Sequence, residues 1–184
     1  KGTETITVDE QPGKANPDKI PTLKPAFAKD GTITAANASS ISDGAAALVV
    51  TRQSVAEAQG LSIAARIVSW ATHSQEPAKF TSAPVPAIRS AMEKAGWTVA
   101  DVDLFEVNEA FAMVPMIAMK ELGIPAEKLN VNGGGTALGH PIGASGARII
   151  ATLIAALQNR GLKRGIASLC IGGGEGTAIA VEIA

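Results

Sequence analysis

Imidazole and thiol groups are scarce in this 184-residue chain: two histidines, His73 and His140, and one cysteine, Cys170. His140 lies in NVNGGGTALGHPIGASGARII (130–150), between two glycine clusters and just before an apolar helical run. Pro141 pushes His140 out of the α region, and a proline is well placed at the start of a helix. His140 is therefore expected in a turn at a helix N-terminus, where free N–H groups and the positive helix end favour negative charge. There an imidazole can donate to a developing oxyanion or activate a thiol. Cys170, in SLCIGGGEG, ends an apolar run against a glycine turn. Sites in α/β sheets form at carboxyl ends of strands, and a free thiol, with a pKa of about 8.5, exchanges protons near neutral pH when its surroundings depress that value. Asn108 and Glu109, in EVNEAFA, stand where a strand becomes a helix. Asn108 can hold a water or carbonyl there, with Glu109 fixing its neighbour. Each group also has a plain structural reading: a turn histidine bonded to backbone, a small buried hydrophobe, and a helix N-cap. The triple glycine is either a hairpin turn or a source of oxyanion-binding N–H groups.

Other chemistries find no residues. The two histidines and one cysteine make no zinc-type ligand set, so no metal is expected. The glycine runs lack the Gly-Lys-Ser/Thr of a phosphate loop and the strand–helix context of a dinucleotide fingerprint. The net charge is −1, which leaves no electrostatic footprint for nucleic acid or a membrane surface. No apolar run reaches the roughly 18 residues that span a bilayer. A single cysteine forms no internal disulfide, in keeping with a reducing, cytoplasmic compartment.

These groups need a scaffold. The chain is 46% hydrophobic but only 3% aromatic, so small aliphatic residues must fill its core. Residues 1–31 are polar, and prolines at 12, 17, 21 and 25 forbid a long helix there. ETITVDE (4–10) alternates like a short strand. GAAALVV (44–50) reads as a strand buried on both faces. RQSVAEAQ follows as a helix that stops at Gly60, and IAARIVSWA (63–71) as a strand. PVPAIRSAMEKAG is a helix with prolines in its first turn, and DLFEV (103–107) is a short strand. EAFAMVPMIAMKELG is helical with a disturbance at Pro115, and GASGARIIATLIAALQNRG is a long helix, apolar nearly all round. GIASLCI and TAIAVEI close the chain as two strands joined by glycines. Strands alternating with helices predict a largely parallel α/β sheet, its last strand antiparallel.

NASSISDGAAALVV (37–50), PVPAIRSAMEKAGWTVADVDLFEVNEAFA (84–112), NVNGGGTALGHPIGASGARII and CIGGGEG (170–176) together resemble the thiolase family, of acetyl-CoA acetyltransferase type. The resemblance is to the later part of a thiolase. It implies the end of a CoA-covering loop domain over residues 1–41 and the C-terminal core domain over 42–184. That core implies a mixed five-stranded sheet (βαβαβαββ) covered by helices, within a layered αβαβα structure. The implied activity is metal-free acyl transfer in fatty acid metabolism, the interconversion of acetoacetyl-CoA plus CoA with two acetyl-CoA. No cofactor is implied beyond the coenzyme A thioesters that are its substrates.

The resemblance also implies roles. Cys170 moves the α-proton of acetyl-CoA. His140 activates the nucleophile and donates to the thioester oxygen, Asn108 holds the water that completes this oxyanion hole, and the Gly172 N–H helps form a second one. Ser39, with Ala35 and Ala36, contacts the pantetheine arm, and Phe111 lines the acyl pocket. The acylated cysteine of the family lies in an N-terminal half, which is the expected partner, in a homodimer or homotetramer. Two rival readings are a non-catalytic module derived from a thiolase and a ketoacyl-synthase-like condensing enzyme; the latter carries a second histidine where Cys170 stands.

Overall fold

The computed structural model describes residues 2–3, 5–13 and 15–184. Its elements in chain order are α1 (Glu10–Gly13), α2 (Gln53–Ala58), β1 (Ala65–Ser74), α3 (Pro84–Ala95), β2 (Leu104–Val107), α4 (Met113–Leu122), α5 (Gly135–Leu138), α6 (Ser145–Arg160), β3 (Arg164–Ile171) and β4 (Glu175–Ile183). Among the described residues they build one four-stranded sheet in the order β1-β4-β3-β2. β2 and β3 are parallel, and β4 is antiparallel to both β3 and β1. The expected antiparallel last strand is therefore present.

Alternation along the strands sends side chains to two helical layers. Phe105 and Val107 of β2, with Ile166 and Cys170 of β3, pack with Val85, Ile88, Ala91 and Met92 of α3 and with Val114 and Ala118 of α4. Leu104 and Ala167 face the other way and pack with Ile149, Leu153, Ala156 and Leu157 of α6. Those four α6 positions follow the i, i+4, i+7, i+8 spacing of one helix face. The outer side of α6 carries Ala151 and Ala155, while Ile150 and Ile154 are half covered. Gln158, Asn159 and Arg160 complete its exposed side, so the helix has a polar end although its sequence reads as apolar nearly all round.

Three expectations are corrected. GAAALVV (44–50) is not a strand here: it runs outside the sheet, with Val49 96% exposed. The five-stranded sheet is accordingly four-stranded, extended past β2 by a single parallel bridge between Phe105 and Leu129. An apolar run reports that a segment is to be covered, and among the described residues Leu48, Val49 and Val50 are left exposed. Pro115 causes no break, because α4 starts at Met113 and places Pro115 in the first turn, where no N–H is missed. Residues 5–9 form no strand; the remainder of that expected strand is Glu4, which lies outside the described residues, and Glu10, which opens α1.

Candidate active site

The parallel pairing of β2 and β3 sets the first two site residues side by side. Val107 is level with Ser168, and the next backbone N–H, that of Asn108, donates to the Ser168 carbonyl at 2.9 Å. Cys170 lies two residues further along β3, so both residues occupy the carboxyl ends of parallel strands.

His140 arrives from the loop ahead of α6. Its N–H donates to the Ser40 carbonyl at 2.9 Å, beside a bridge between Ile41 and His140. Gly139 has φ +90, and a Cβ there would run into the Ser42 hydroxyl, so a glycine is required for this approach. The His140 ring lies between two partners: Nε2 is 3.3 Å from Asn108 Nδ2, and Nδ1 is 2.6 Å from Ser145 Oγ. Ser145 Oγ in turn donates to the Pro141 carbonyl at 3.0 Å. His140 is held below the ordinary histidine pKa, first by burial and then by the Arg148 cation. His73 is remote from these contacts, in β1 opposite Gly176.

Cys170 is buried on the α3 side of the sheet among aliphatic side chains. Burial pushes its thiol up to about 11, so the surroundings raise the value rather than depress it and the group is a neutral thiol near pH 7. Gly172 is exposed in the β3–β4 turn, which the Gly174 N–H closes on the Ile171 carbonyl at 3.0 Å.

Ser39 is tied to the Asn108–Ala112 loop: its N–H and its hydroxyl both donate to the Ala110 carbonyl, at 3.1 and 2.9 Å. Segment 38–41 is thus stitched to Phe111 on one side and to His140 on the other. Phe111 makes edge-to-face contacts with Phe27 and Phe80, with ring centres 5.8 and 6.2 Å apart. Ala35 and Ala36 are exposed in the turn just before, outside these contacts. A groove of about 340 Å³ lies alongside, between residues 42–46 and 141–144; Cys170, His140 and Asn108 do not line it.

Four residues escaped the sequence reading. Glu106 is 2% exposed, on the α6 side of β2, with Arg148 of α6 at 3.8 Å. Burial outweighs the Arg148 charge, and the Glu109 charge adds to it, so Glu106 is pushed up to about 7. A lone carboxylate inside LFEV was the available signal. Arg148 also donates to Asn108 Oδ1 at 3.3 Å. Asn130, with φ 47, uses its side chain as a strand would: Oδ1 accepts from the Val107 N–H and Nδ2 donates to the Val107 carbonyl. Glu109 accepts from Asn130 Nδ2 and from the N–H and hydroxyl of Thr136, rather than holding its neighbour Asn108 as expected. Ser145 is fully buried. No group of three or more His, Cys, Asp or Glu side chains suited to a metal converges among the described residues, and none of their helices is long and apolar enough to cross a membrane.

Comparison with known proteins matches two family models: thiolase, C-terminal domain, over residues 61–183, and thiolase, N-terminal domain, over residues 1–54. The chain is 50% identical over 185 aligned residues to the cytosolic acetyl-CoA acetyltransferase of Mus musculus, covering 99% of this chain and 47% of that protein. It is 48% identical to an acetyl-CoA acetyltransferase of Syntrophomonas wolfei, with 99% and 46% covered. Among solved structures it superposes on the Bacillus anthracis acetyl-CoA acetyltransferase with a TM-score of 0.91 at 48% identity, covering 96% of this chain and 45% of that one. Human mitochondrial 3-ketoacyl-CoA thiolase in complex with CoA gives 0.88 at 40% identity, with 98% and 46% covered. The chain spans less than half the length of these relatives.

Proposed function

The chain belongs to the thiolase family, and we propose that it is the C-terminal part of an acetyl-CoA acetyltransferase. It would supply His140, Asn108 and Cys170 to the cleavage of acetoacetyl-CoA by CoA and to the reverse condensation. The observation that carries this reading is the contact of His140 Nε2 with Asn108 Nδ2 at the carboxyl end of the sheet that also bears Cys170. The similarity to acetyl-CoA acetyltransferases at about half identity supports the acetyl substrate class.

In the cleavage direction the acylated cysteine comes from an N-terminal half. Its thiol gives a proton to His140 Nε2 as sulfur attacks the keto carbonyl. Collapse of that adduct breaks the Cα–C bond, and the departing enolate of acetyl-CoA takes its proton from Cys170. A thiol held neutral by burial suits this donor role. The CoA thiol then gives its proton to the Cys170 thiolate as its sulfur takes the acyl group, and the departing cysteine sulfur recovers its proton from His140. His140 and a water on Asn108 stabilise the thioester oxygen, and the Gly172 N–H serves the second oxyanion. Such preorganised donors are the largest single contribution expected in acyl transfer. Ser39, with Ala35 and Ala36, would guide the pantetheine arm, and Phe111 would bound the acyl group.

The N-terminal half is the proposed partner, and the exposed apolar segment 44–50 is the natural place for it to add a strand. The match of residues 1–54 to the N-terminal domain model supports that pairing. The same proposal divides the chain into the end of a CoA-covering loop domain over residues 1–41 and the C-terminal core domain over residues 42–184. A cytoplasmic location and a homodimeric or homotetrameric assembly belong to the same proposal. The cytosolic mouse relative supports the first of these.

The test mixes the 184-residue chain with a separately produced N-terminal thiolase half and measures CoA-dependent loss of acetoacetyl-CoA. Turnover is expected from the mixture and from neither part alone. A stable complex without turnover would overturn the assignment.

A further inference from the structure

Arg148 has no part in the chemistry above, yet it bonds directly to Asn108. A guanidinium carries donors only, so the oxygen of the Asn108 amide must be the atom that faces it. That orientation turns the Asn108 NH₂ toward His140 Nε2, 3.3 Å away. Facing a donor, Nε2 must present its lone pair, and the ring proton then resides on Nδ1. The Nδ1–H donates to Ser145 Oγ at 2.6 Å, and Ser145 donates onward to the Pro141 carbonyl. From Arg148 to Pro141, every donor meets an acceptor in one direction only.

We propose that Arg148 is a positioning residue that acts through Asn108 to hold His140 as the Nδ1–H tautomer, with its Nε2 lone pair aimed into the site. Glu106 places Arg148 for this task from 3.8 Å, inside the protein. The pair is imperfectly satisfied: Glu106 Oε1 and Arg148 Nη1 are buried without hydrogen-bond partners. Burying two such charges stabilises a fold little, so stability alone does not account for the pair. The inference deepens the thiolase reading by making His140 competent to accept a thiol proton at Nε2, but its geometry does not depend on that reading. Once Nε2 is protonated it confronts the Asn108 NH₂ donor to donor, so the imidazolium gives up its proton readily. The charged groups bearing on this cluster are Arg148 from α6, Glu106 from β2 and Glu109 from the loop after β2; Cys170 on β3 is neutral. Burial and the Arg148 charge act on His140 in the same sense as the hydrogen bonds.

Nitrogen NMR of the ¹⁵N-labelled chain reads the tautomer directly, and His73→Gln leaves His140 as its sole imidazole. The expected result is a protonated Nδ1 and an unprotonated Nε2. In Arg148→Met the Asn108 amide is free to turn, and the Nδ1–H preference should fall by about tenfold, the size of one net hydrogen bond. The protonation midpoint of His140 should rise in the same variant. Arg148→Lys, which keeps a donor-only cation, should restore the tautomer. Arg148→Met leaves Glu106 buried without its partner, so the Glu106→Gln/Arg148→Met double variant repeats the measurement should the single variant not fold. A predominant Nε2–H tautomer in the unmodified chain, or an unchanged ratio in a folded Arg148→Met or double variant, would overturn the proposal. Acetoacetyl-CoA cleavage, assayed separately, reports on the thiolase reading and leaves the tautomer result standing.

Discussion

The carboxyl end of the sheet and the segment 41–50 treat their side chains in opposite ways. At the first, Asn108, His140, Ser145 and Asn130 find partners within this chain, so the polar groups are oriented by bonds already made. At the second, Ile41, Leu48, Val49 and Val50 are apolar and exposed, on a stretch that joins no sheet among the described residues. Strand β1 ends the sheet, with Trp70 68% exposed. Polar network and apolar surface thus mark what the chain completes alone and where the proposed N-terminal half would add to it.

The largest effects should fall on the finished end. On the proposed thiolase reading, Cys170→Ala in the complete enzyme should slow condensation by roughly 10²–10⁴-fold, the range for losing a positioned acid or base, while acylation of the N-terminal cysteine survives in part. His140→Ala should slow both half-reactions. Rapid-quench measurement of the acylation burst separates them, and equal burst loss in the two variants would break the division of roles.

Next comes the packing beneath the site. Leu153 is fully buried between α6 and the sheet, so Leu153→Ala should cost about 2–5 kcal/mol in urea unfolding. A loss below about 1 kcal/mol would mean that α6 is only loosely seated without the N-terminal half.

A smaller effect belongs to Glu106, raised from the ordinary carboxylate value of 4.5 to about 7. Below pH 4.5 the carboxyl is protonated in both folded and unfolded chains. Between about 4.5 and 7 the unfolded chain has released this proton and the native protein retains it. Stability should therefore fall as pH rises through that window, by about 3 kcal/mol, and the contribution should level off above it. Glu106→Gln should flatten that part of the stability profile; an unaltered slope would assign it to other groups.

The smallest effect on the chain itself should come from the exposed segment. Val49→Asp should change the melting free energy by no more than about 0.5 kcal/mol, since this side chain packs against nothing here. The same change should weaken association with the N-terminal half, measurable by titration calorimetry. Undiminished binding would show that the partner docks elsewhere.

Much of the scaffold was legible from local rules. Pro84 and Gly96 bracket α3, Gly161 follows α6, and the glycine turn before TAIAVEI reads as the antiparallel return that β4 makes. Spacing also placed Asn108, His140 and Cys170 at strand and helix ends, because turns and termini leave local marks. The run 44–50 misled for a physical reason: hydrophobicity reports that a surface will be covered but does not say by which chain. Pro115 misled because its cost depends on its place within the helix.

What the sequence by itself determined were these elements and the chemical types they carry, since both follow from φ, ψ preference and the period of the side chains. The tertiary structure alone decided how they act on one another. Pairing β2 with β3 across some sixty residues put Asn108 at the end that holds Cys170. Seating α6 on the sheet set Arg148 against Glu106, forty-two positions earlier in the chain, and turned the Asn108 amide toward His140. Burial among aliphatic side chains, visible only once the sheet is covered, made Cys170 a neutral thiol. Hydrogen-bond direction and desolvation belong to groups brought together in space, and for that reason no local pattern encodes them.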